Sequence, residues 1–249
     1  MFYWRSTIRG ADGRRWAEVA FTGRAAARGQ EPYLGLNLGG HVGDDPDVVA
    51  ENREAVAAAL GLPRSRFVFL NQVHGTDVVQ VAGPWPGPAP EADGMVTTAD
   101  ELGLGVLVAD CVPVLLHDLR AGVIGVVHAG RPGMLGGVVP RAVEQMRSLG
   151  AQRLGAVVGP SVCGRCYEVP SELVQRAATV APSSVTTSWS GTPAIDVASG
   201  VVEQLTQLDV TVDRVPGCTR EDEDLYSYRR EGTTGRFAGV IVMHEDASR

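Results

Sequence analysis

Residues 104–134 read LGVLVADCVPVLLHDLRAGVIGVVHAGRPGM, and three apolar runs fill most of that stretch. The runs at 104–109, 112–117 and 122–128 are rich in valine, leucine and isoleucine and are too short for helices. They predict three consecutive buried strands. Further strands are expected at 66–70, 77–81, 154–158 and 236–243. Asp45-Pro46 reads as a helix cap followed by proline in the first turn. Val49, Val56, Ala59 and Leu60 then recur at helical spacing, so a helix is expected over 46–60, ended by Gly61. Segments 134–149, 171–181 and 197–208 also carry helical patterns, with Pro140 a kink or a restart. Strands cluster in the middle with helices before and after. That arrangement indicates an α+β fold with mixed sheets, less regular than a βαβ alternation. The Pro/Gly-rich stretch 82–94 reads as a loop excursion, and a single domain over 1–249 is the simplest account.

Composition removes several function classes. The chain has 249 residues, 44% of them hydrophobic, and a formal net charge of −7 with no basic block, which speaks against a nucleic-acid partner. No apolar run approaches the roughly 18–20 residues of a membrane span. The opening MFYWRSTIRGADGRRW lacks the apolar core of a secretory leader, so a soluble cytoplasmic protein is expected. All 22 basic residues are arginine. Without lysine there is no Schiff-base chemistry and no P-loop lysine, and anions must be held by guanidinium groups or backbone N–H groups. Oligomeric state is left open.

The third apolar run ends on His128, one of five histidines. Two comparable positions are His74 in FLNQVHGTD and Cys111 in LVADCVPVLL. Strand ends hold side chains rigidly beside an open mouth. Two imidazoles and one thiolate suit zinc and leave a fourth tetrahedral position for water or substrate. Their separations of 36 and 16 intervening residues match no local zinc-finger spacing, however. The residues alone favour a small buried thiol and two hydrogen-bonded strand-end histidines. Asp110 either orients a ligand histidine or takes part in proton transfer, or it satisfies loop N–H groups. His41, among glycines in LNLGGHVGDDP, either lines a cleft or caps a turn. His117 reads as part of an exposed turn and His244 as part of the C-terminal tail.

Cys163-Gly164-Arg165-Cys166 has CxxC spacing, but flanking prolines fit a thioredoxin-like helix start poorly. A structural zinc knuckle would need a second pair, and Cys111 with Cys218 does not supply one at a diagnostic spacing. The expectation is a tight loop with incidental thiols. Arg229 and Arg230 form either a phosphate or carboxylate clamp or a solvated turn paired with the acidic run 221–224.

Taken in order, LGLNLGGHVGDDPDVVAENR, NQVHGTDVV, DGMVTT, ADCVPVLL, VVHAG, GP…CYEV and YSYRREGTTGR resemble the YfiH/YlmD laccase-domain family, from about residue 34 to 241. Its members are described as purine nucleoside phosphorylases and, under an older name, polyphenol oxidases. The resemblance implies mixed β-sheets sandwiched between helices, in the manner of the cytotoxic necrotizing factor catalytic domain. It also implies a zinc site made by His74, Cys111 and His128, which would be the catalytic centre. Asn37, Gln72, Asp110, Arg131 and Arg229 are the accompanying substrate-binding candidates. The implied activity is phosphorolysis of adenosine, inosine or methylthioadenosine, with adenosine deamination beside it, so the partners expected are a purine nucleoside and phosphate.

Two departures from the family pattern stand out. The usual HAGWRG is HAGRPG here, with Arg131 one position early and Pro132 in the arginine's place. GPxIGPCCYEV becomes GPSVCGRCYEV, with Cys163 at a glycine position. Five histidines are about half of what a multicopper oxidase needs, so copper would be limited to a single site. The rival readings are a cysteine or zinc hydrolase editing peptidoglycan precursors, a single-copper polyphenol oxidase, and a non-catalytic partner of division or envelope machinery.

Overall fold

A computed structural model describes residues 1–25 and 29–245. In chain order the strands are β1 (Phe2–Arg9), β2 (Arg15–Thr22), β3 (Phe67–Phe69), β4 (Val78–Gln80), β5 (Gly94–Thr97), β6 (Gly103–Val108), β7 (Val112–Asp118), β8 (Val123–Ala129), β9 (Gly155–Val158), β10 (Val185–Thr187), β11 (Pro193–Ile195), β12 (Thr211–Arg214) and β13 (Phe237–Glu245). The helices are α1 (Pro46–Ala59), α2 (Arg131–Gly136), α3 (Val138–Ser148), α4 (Ser171–Val180), α5 (Val197–Gln207) and α6 (Tyr228–Glu231).

Two mixed sheets organise the chain. One has the order β1-β2-β13-β6-β3, and the other β12-β9-β7-β8-β5-β4; β10 and β11 form a separate antiparallel pair. Three apolar clusters define the layering. One joins α1 to the five-stranded sheet through Val56, Leu60, Phe67 and Val240. A second lies between the sheets and includes Val19, Val106, Leu115, Ile124, Val126 and Met243. The third joins the six-stranded sheet to α3 and α5 through Val114, Val127, Val143 and Val201. The order is therefore helix, sheet, sheet, helices.

This layering explains the uninterrupted apolar runs. Antiparallel strands with one wet face alternate apolar and polar residues, but β7 and β8 are covered on both faces. Side chains still alternate in direction. In β8, Val123, Val127 and Ala129 meet the helices, whereas Ile124 and Val126 face the other sheet. His128 follows the second set and points to the inter-sheet side.

The expected strands at 66–70, 77–81, 104–109, 112–117, 122–128, 154–158 and 236–243 correspond to β3, β4, β6, β7, β8, β9 and β13. The four helical segments correspond to α1, α2 with α3, α4 and α5. Asp45 caps α1, its side chain accepting from the Asp47 N–H at 2.9 Å. Pro140 restarts rather than kinks. It lies in the first turn of α3, where its missing N–H has no intrahelical partner to lose. The loop 82–94 is tied back by Trp85, whose indole N–H donates to the Phe69 carbonyl at 2.8 Å. Several features depart from expectation, and β5, β10, β11, β12 and α6 all lie outside the expected segments. The hairpin β1–β2 was not anticipated, because β1 is an edge strand whose Arg5 and Arg9 interrupt the apolar signal. His244 is part of β13, not of a tail; it stacks on Trp16 and pairs with Glu101 at 2.6 Å. His117 sits on β7 against Gly155 and is only partly exposed.

Candidate metal centre and pocket

The C-terminal ends of β6 and β8 and the N-terminal ends of β7 and β13 lie side by side, as the pairings Pro113 with His128 and Phe237 with Val108 require. Cys111 immediately precedes β7, and His128 lies one residue from the end of β8. His74 sits in the loop after β3 with a left-handed backbone, φ 59°. The structure brings these three together: Sγ of Cys111 and one ring nitrogen from each histidine all lie within 4.8 Å of one another. Cys111 Sγ is 3.7 Å from His74 Nε2. Gly130 permits this approach, because a Cβ there would stand 2.7 Å from His74 Cδ2 and 3.1 Å from the sulfur.

The group that organises the cluster is Asp93, fully buried at the start of β5. Its carboxylate accepts backbone N–H groups from Val73, His74 and Gly75 at 3.3, 3.0 and 2.6 Å. It also holds Nδ1 of His128 at 2.7 Å, and the His128 N–H donates to the Asp93 carbonyl at 2.7 Å. One carboxylate thus sets both the loop that carries His74 and the tautomer of His128, leaving Nε2 for the thiol side. Burial alone would raise its pKa, but His128 and the Gly75 and His74 N–H groups together bring it below the ordinary carboxylate range. Burial likewise opposes the Cys111 thiolate, yet His128 and His74 bring that thiol down to about 6. His128 is raised to about 9: burial lowers it, and Cys111 and Asp93 more than compensate. Two imidazoles and an acidic thiol fit a borderline-soft cation with one open position.

A cavity of about 560 Å³ opens in front of the cluster. Its walls include Leu107, Val108 and Val162 on the apolar side and His41, Arg131, Arg229 and Arg236 on the polar side. The aromatic rings of Tyr167 and Tyr228 complete it, with the Arg229 guanidinium 4.5 Å from the Tyr167 ring centroid. His41 is therefore a cleft residue. Burial, then the nearby Arg236 and Arg53, lower its pKa, so the ring is neutral at pH 7.

The substrate-binding candidates divide. Arg131 and Arg229 line the cavity. Gln72 also lines it, but its amide is engaged with both the N–H and the carbonyl of Leu107, at 2.8 and 2.7 Å. Asn37 does not reach the cavity. It is fully buried, donates to Asp44 at 2.8 Å, and accepts the N–H groups of Gly39 and Arg236 at 2.9 and 2.8 Å. Its place is to hold the backbone that carries Arg236. Asp110 borders the cavity, yet its carboxylate takes Thr219 and Ser227 hydroxyls at 2.6 and 2.7 Å and the Arg229 N–H at 2.7 Å. No histidine is oriented by it; that contact belongs to Asp93. The Arg229–Arg230 pair splits as well. Arg230 leaves the cavity and donates to the carbonyls of Thr219, Asp222 and Leu225 at 2.6, 3.0 and 2.6 Å. Asp93, Arg236 and the two tyrosines were not singled out from sequence. Asp93 lies inside the motif DGMVTT, but nothing local distinguishes it from a loop aspartate.

Fold and site define a class: two mixed sheets between helices, with a His₂Cys donor set opening into an arginine-lined pocket. Residues 18–244 match the family model described as multi-copper polyphenol oxidoreductase laccase, and the chain belongs to that family, the laccase-domain proteins typified by YfiH and YlmD. A purine nucleoside phosphorylase of Streptomyces coelicolor is 50% identical over 244 residues, 96% of this chain and 98% of the relative. Another protein of that name, from Streptomyces griseus, is 53% identical over 234 residues, covering 91% and 94%. The crystal structure of YlmD from Geobacillus stearothermophilus superposes with a TM-score of 0.84 at 30% identity, covering 92% of each chain. Among the described residues no helix is long and apolar enough to cross a membrane.

Proposed function

We propose that the chain, acting as one domain, is a purine nucleoside phosphorylase that uses inorganic phosphate to cleave the glycosidic bond of adenosine, inosine or methylthioadenosine. The observation that carries this reading is the sharing of one cavity by Arg131, Arg229, Arg236 and the His74–Cys111–His128 cluster. A volume of about 560 Å³ is in the range of small-molecule sites and suits a nucleoside with phosphate.

In this reading the guanidinium groups hold the phosphate dianion on one face of the sugar. A phosphate oxygen bonds to C1′ as the C1′–N9 bond breaks, and the electron pair leaves with the purine. Leu107, Val108 and Val162 exclude water from the cationic sugar centre, which favours phosphate over hydrolysis. Tyr228, 61% exposed at the rim, offers a ring on which the base can stack. Neutral His41 donates a hydrogen bond to the departing base. His74, Cys111 and His128 would hold a zinc-type cation, which supplies Lewis acidity at one open position when bound. Of the five histidines, His117 and His244 lie away from the pocket, leaving His41, His74 and His128, too few for a multicopper cluster.

One geometric fact favours a second reading. Cys111, His128 and Asp93 line up as thiol, imidazole and carboxylate, the order used by cysteine hydrolases. The two readings separate in one experiment. Purified protein is incubated with inosine or adenosine, with and without phosphate, before and after chelation. Phosphate-dependent formation of free base and sugar 1-phosphate, lost on chelation and in Cys111→Ala together with the metal of the pocket cluster, is the expected result. Base release indifferent to phosphate overturns phosphorolysis, and activity on a muropeptide that survives chelation favours the thiol hydrolase. Inosine formed from adenosine in the same assay reports deamination.

A further inference from the structure

The CGRC turn does find a second pair of donors, from a segment more than fifty residues away. Sγ of Cys163, Cys166 and Cys218 and a carboxylate oxygen of Glu221 all lie within 4.8 Å of one another. All three thiols are free; Cys166 is buried, and Cys163 and Cys218 are half-buried. Each pair comes from a turn of the same kind. The Cys166 N–H donates to the Cys163 carbonyl at 3.0 Å, and the Glu221 N–H donates to the Cys218 carbonyl at 3.0 Å. An i to i+3 turn of this sort sends its first and last side chains to one side, the way knuckle ligands are presented.

The two turns are already locked together. Ser161 and Cys218 form a parallel bridge, with N–H groups of Ser161 and Thr219 donating to the carbonyls of Gly217 and Ser161 at 3.3 and 3.1 Å. The Cys163 N–H points at Cys218 Sγ from 3.4 Å, which is how backbone supports a ligating sulfur. Cys166 Sγ is 3.2 Å from Glu221 Oε1, and the Trp189 indole N–H holds that same oxygen at 3.1 Å. In a tetrahedral zinc site with bonds of about 2.3 Å to sulfur, neighbouring sulfurs stand about 3.8 Å apart. The four donors here all lie within 4.8 Å of one another, close to that spacing.

We infer that Cys163, Cys166, Cys218 and Glu221 form a second cation site, a closed structural centre for zinc or a similar thiophilic divalent ion. Three thiolates select a soft or borderline metal over magnesium or calcium. Four protein donors leave no open position, in contrast to the three donors at the pocket. The centre ties the loop carrying Val162 and Tyr167 to the segment carrying Thr219, whose hydroxyl holds Asp110. It therefore fastens the pocket wall from which Arg229 projects.

The test is a metal count on full-length protein expressed with zinc, purified under reducing conditions and freed of loose metal. The expected content is about two equivalents per chain, one per site. Cys218→Ser should retain about one, and His74→Ala/His128→Ala should also retain about one, because each removes a different set of donors. The doubly histidine-substituted protein leaves the cysteine cluster untouched, so a folding defect in Cys218→Ser does not remove the test. Loaded with cobalt(II), that histidine variant should show thiolate-to-cobalt charge transfer, and Glu221→Gln should weaken it. Wild type with a single equivalent that Cys218→Ser keeps and the histidine variant loses overturns the proposal. So does an intact mass lower by two hydrogens with a disulfide mapped among these three cysteines.

Discussion

Asp93 has the widest reach of any single side chain at the pocket. It accepts three consecutive backbone N–H groups and one imidazole, so two of the three pocket donors depend on one carboxylate. Asp93→Asn keeps the shape but removes the charge and places an N–H₂ against backbone donors. Loss of such a partner typically lowers metal affinity about 10–100-fold, and competition with a chromophoric chelator will read it. Arg131 is a second residue with a clear expectation. It occupies the first position of α2 and lines the cavity, where Pro132 in the second position needs no N–H partner. Under the proposed phosphorolysis, in which Arg131 holds phosphate, Arg131→Ala should raise the KM for phosphate about 10–100-fold, the worth of a charge-assisted hydrogen bond. The KM for nucleoside should change little, and initial-rate kinetics with both substrates varied will separate the two. In metal-free protein, Cys111 should alkylate as a thiolate down to about pH 6, well below an ordinary thiol, and mapping the alkylated cysteines across pH tests it.

At the level of elements, β7 and β8 deliver chemistry at one end and stability at the other. At the far end of β7, buried Asp118 accepts N–H groups from Ala121, Gln152 and Arg153 at 3.1, 2.7 and 2.8 Å. It thereby pins the turn into β8 and the approach to β9. Burial raises its pKa, but these N–H groups together depress it below the ordinary value. A depressed carboxylate contributes stability that is full above the unfolded pKa, about 3.9, and is lost as pH falls through the folded value. Asp118→Asn should cost about 1–3 kcal/mol in urea unfolding at pH 7, with the gap to wild type closing as the pH drops below about 4. Its distance from the pocket means the metal content should not change.

On the scale of the whole molecule, the sheet order joins distant parts of the chain. β13 lies between β2 and β6, pairing from Phe237 with Val108 and from Gly239 with Phe21. A chain truncated after Arg236 loses the centre of the five-stranded sheet, exposing Val19, Val106 and their neighbours. It should lose its cooperative melting transition, as followed by circular dichroism. The pocket is assembled the same way, from the loop before α1, the ends of β6, β7 and β8, α6 and the residue before β13.

The sequence alone determined β6, β7, β8 and β13 and most helices, because a strand covered on both faces must be apolar throughout, and caps such as Asp45-Pro46 act locally. His74, Cys111 and His128 stood out at strand ends, but only the resemblance of their surrounding motifs to a known family joined them into one expected site. Only the tertiary structure decided how these pieces serve one another. That His128 answers to Asp93 and not Asp110, that Asn37 supports Arg236 from outside the pocket, and that Cys218 meets CGRC all follow from strand order and register. Such contacts join residues from 35 to 199 positions apart. No local pattern encodes them, because their energy exists only once both sheets have closed around a shared core.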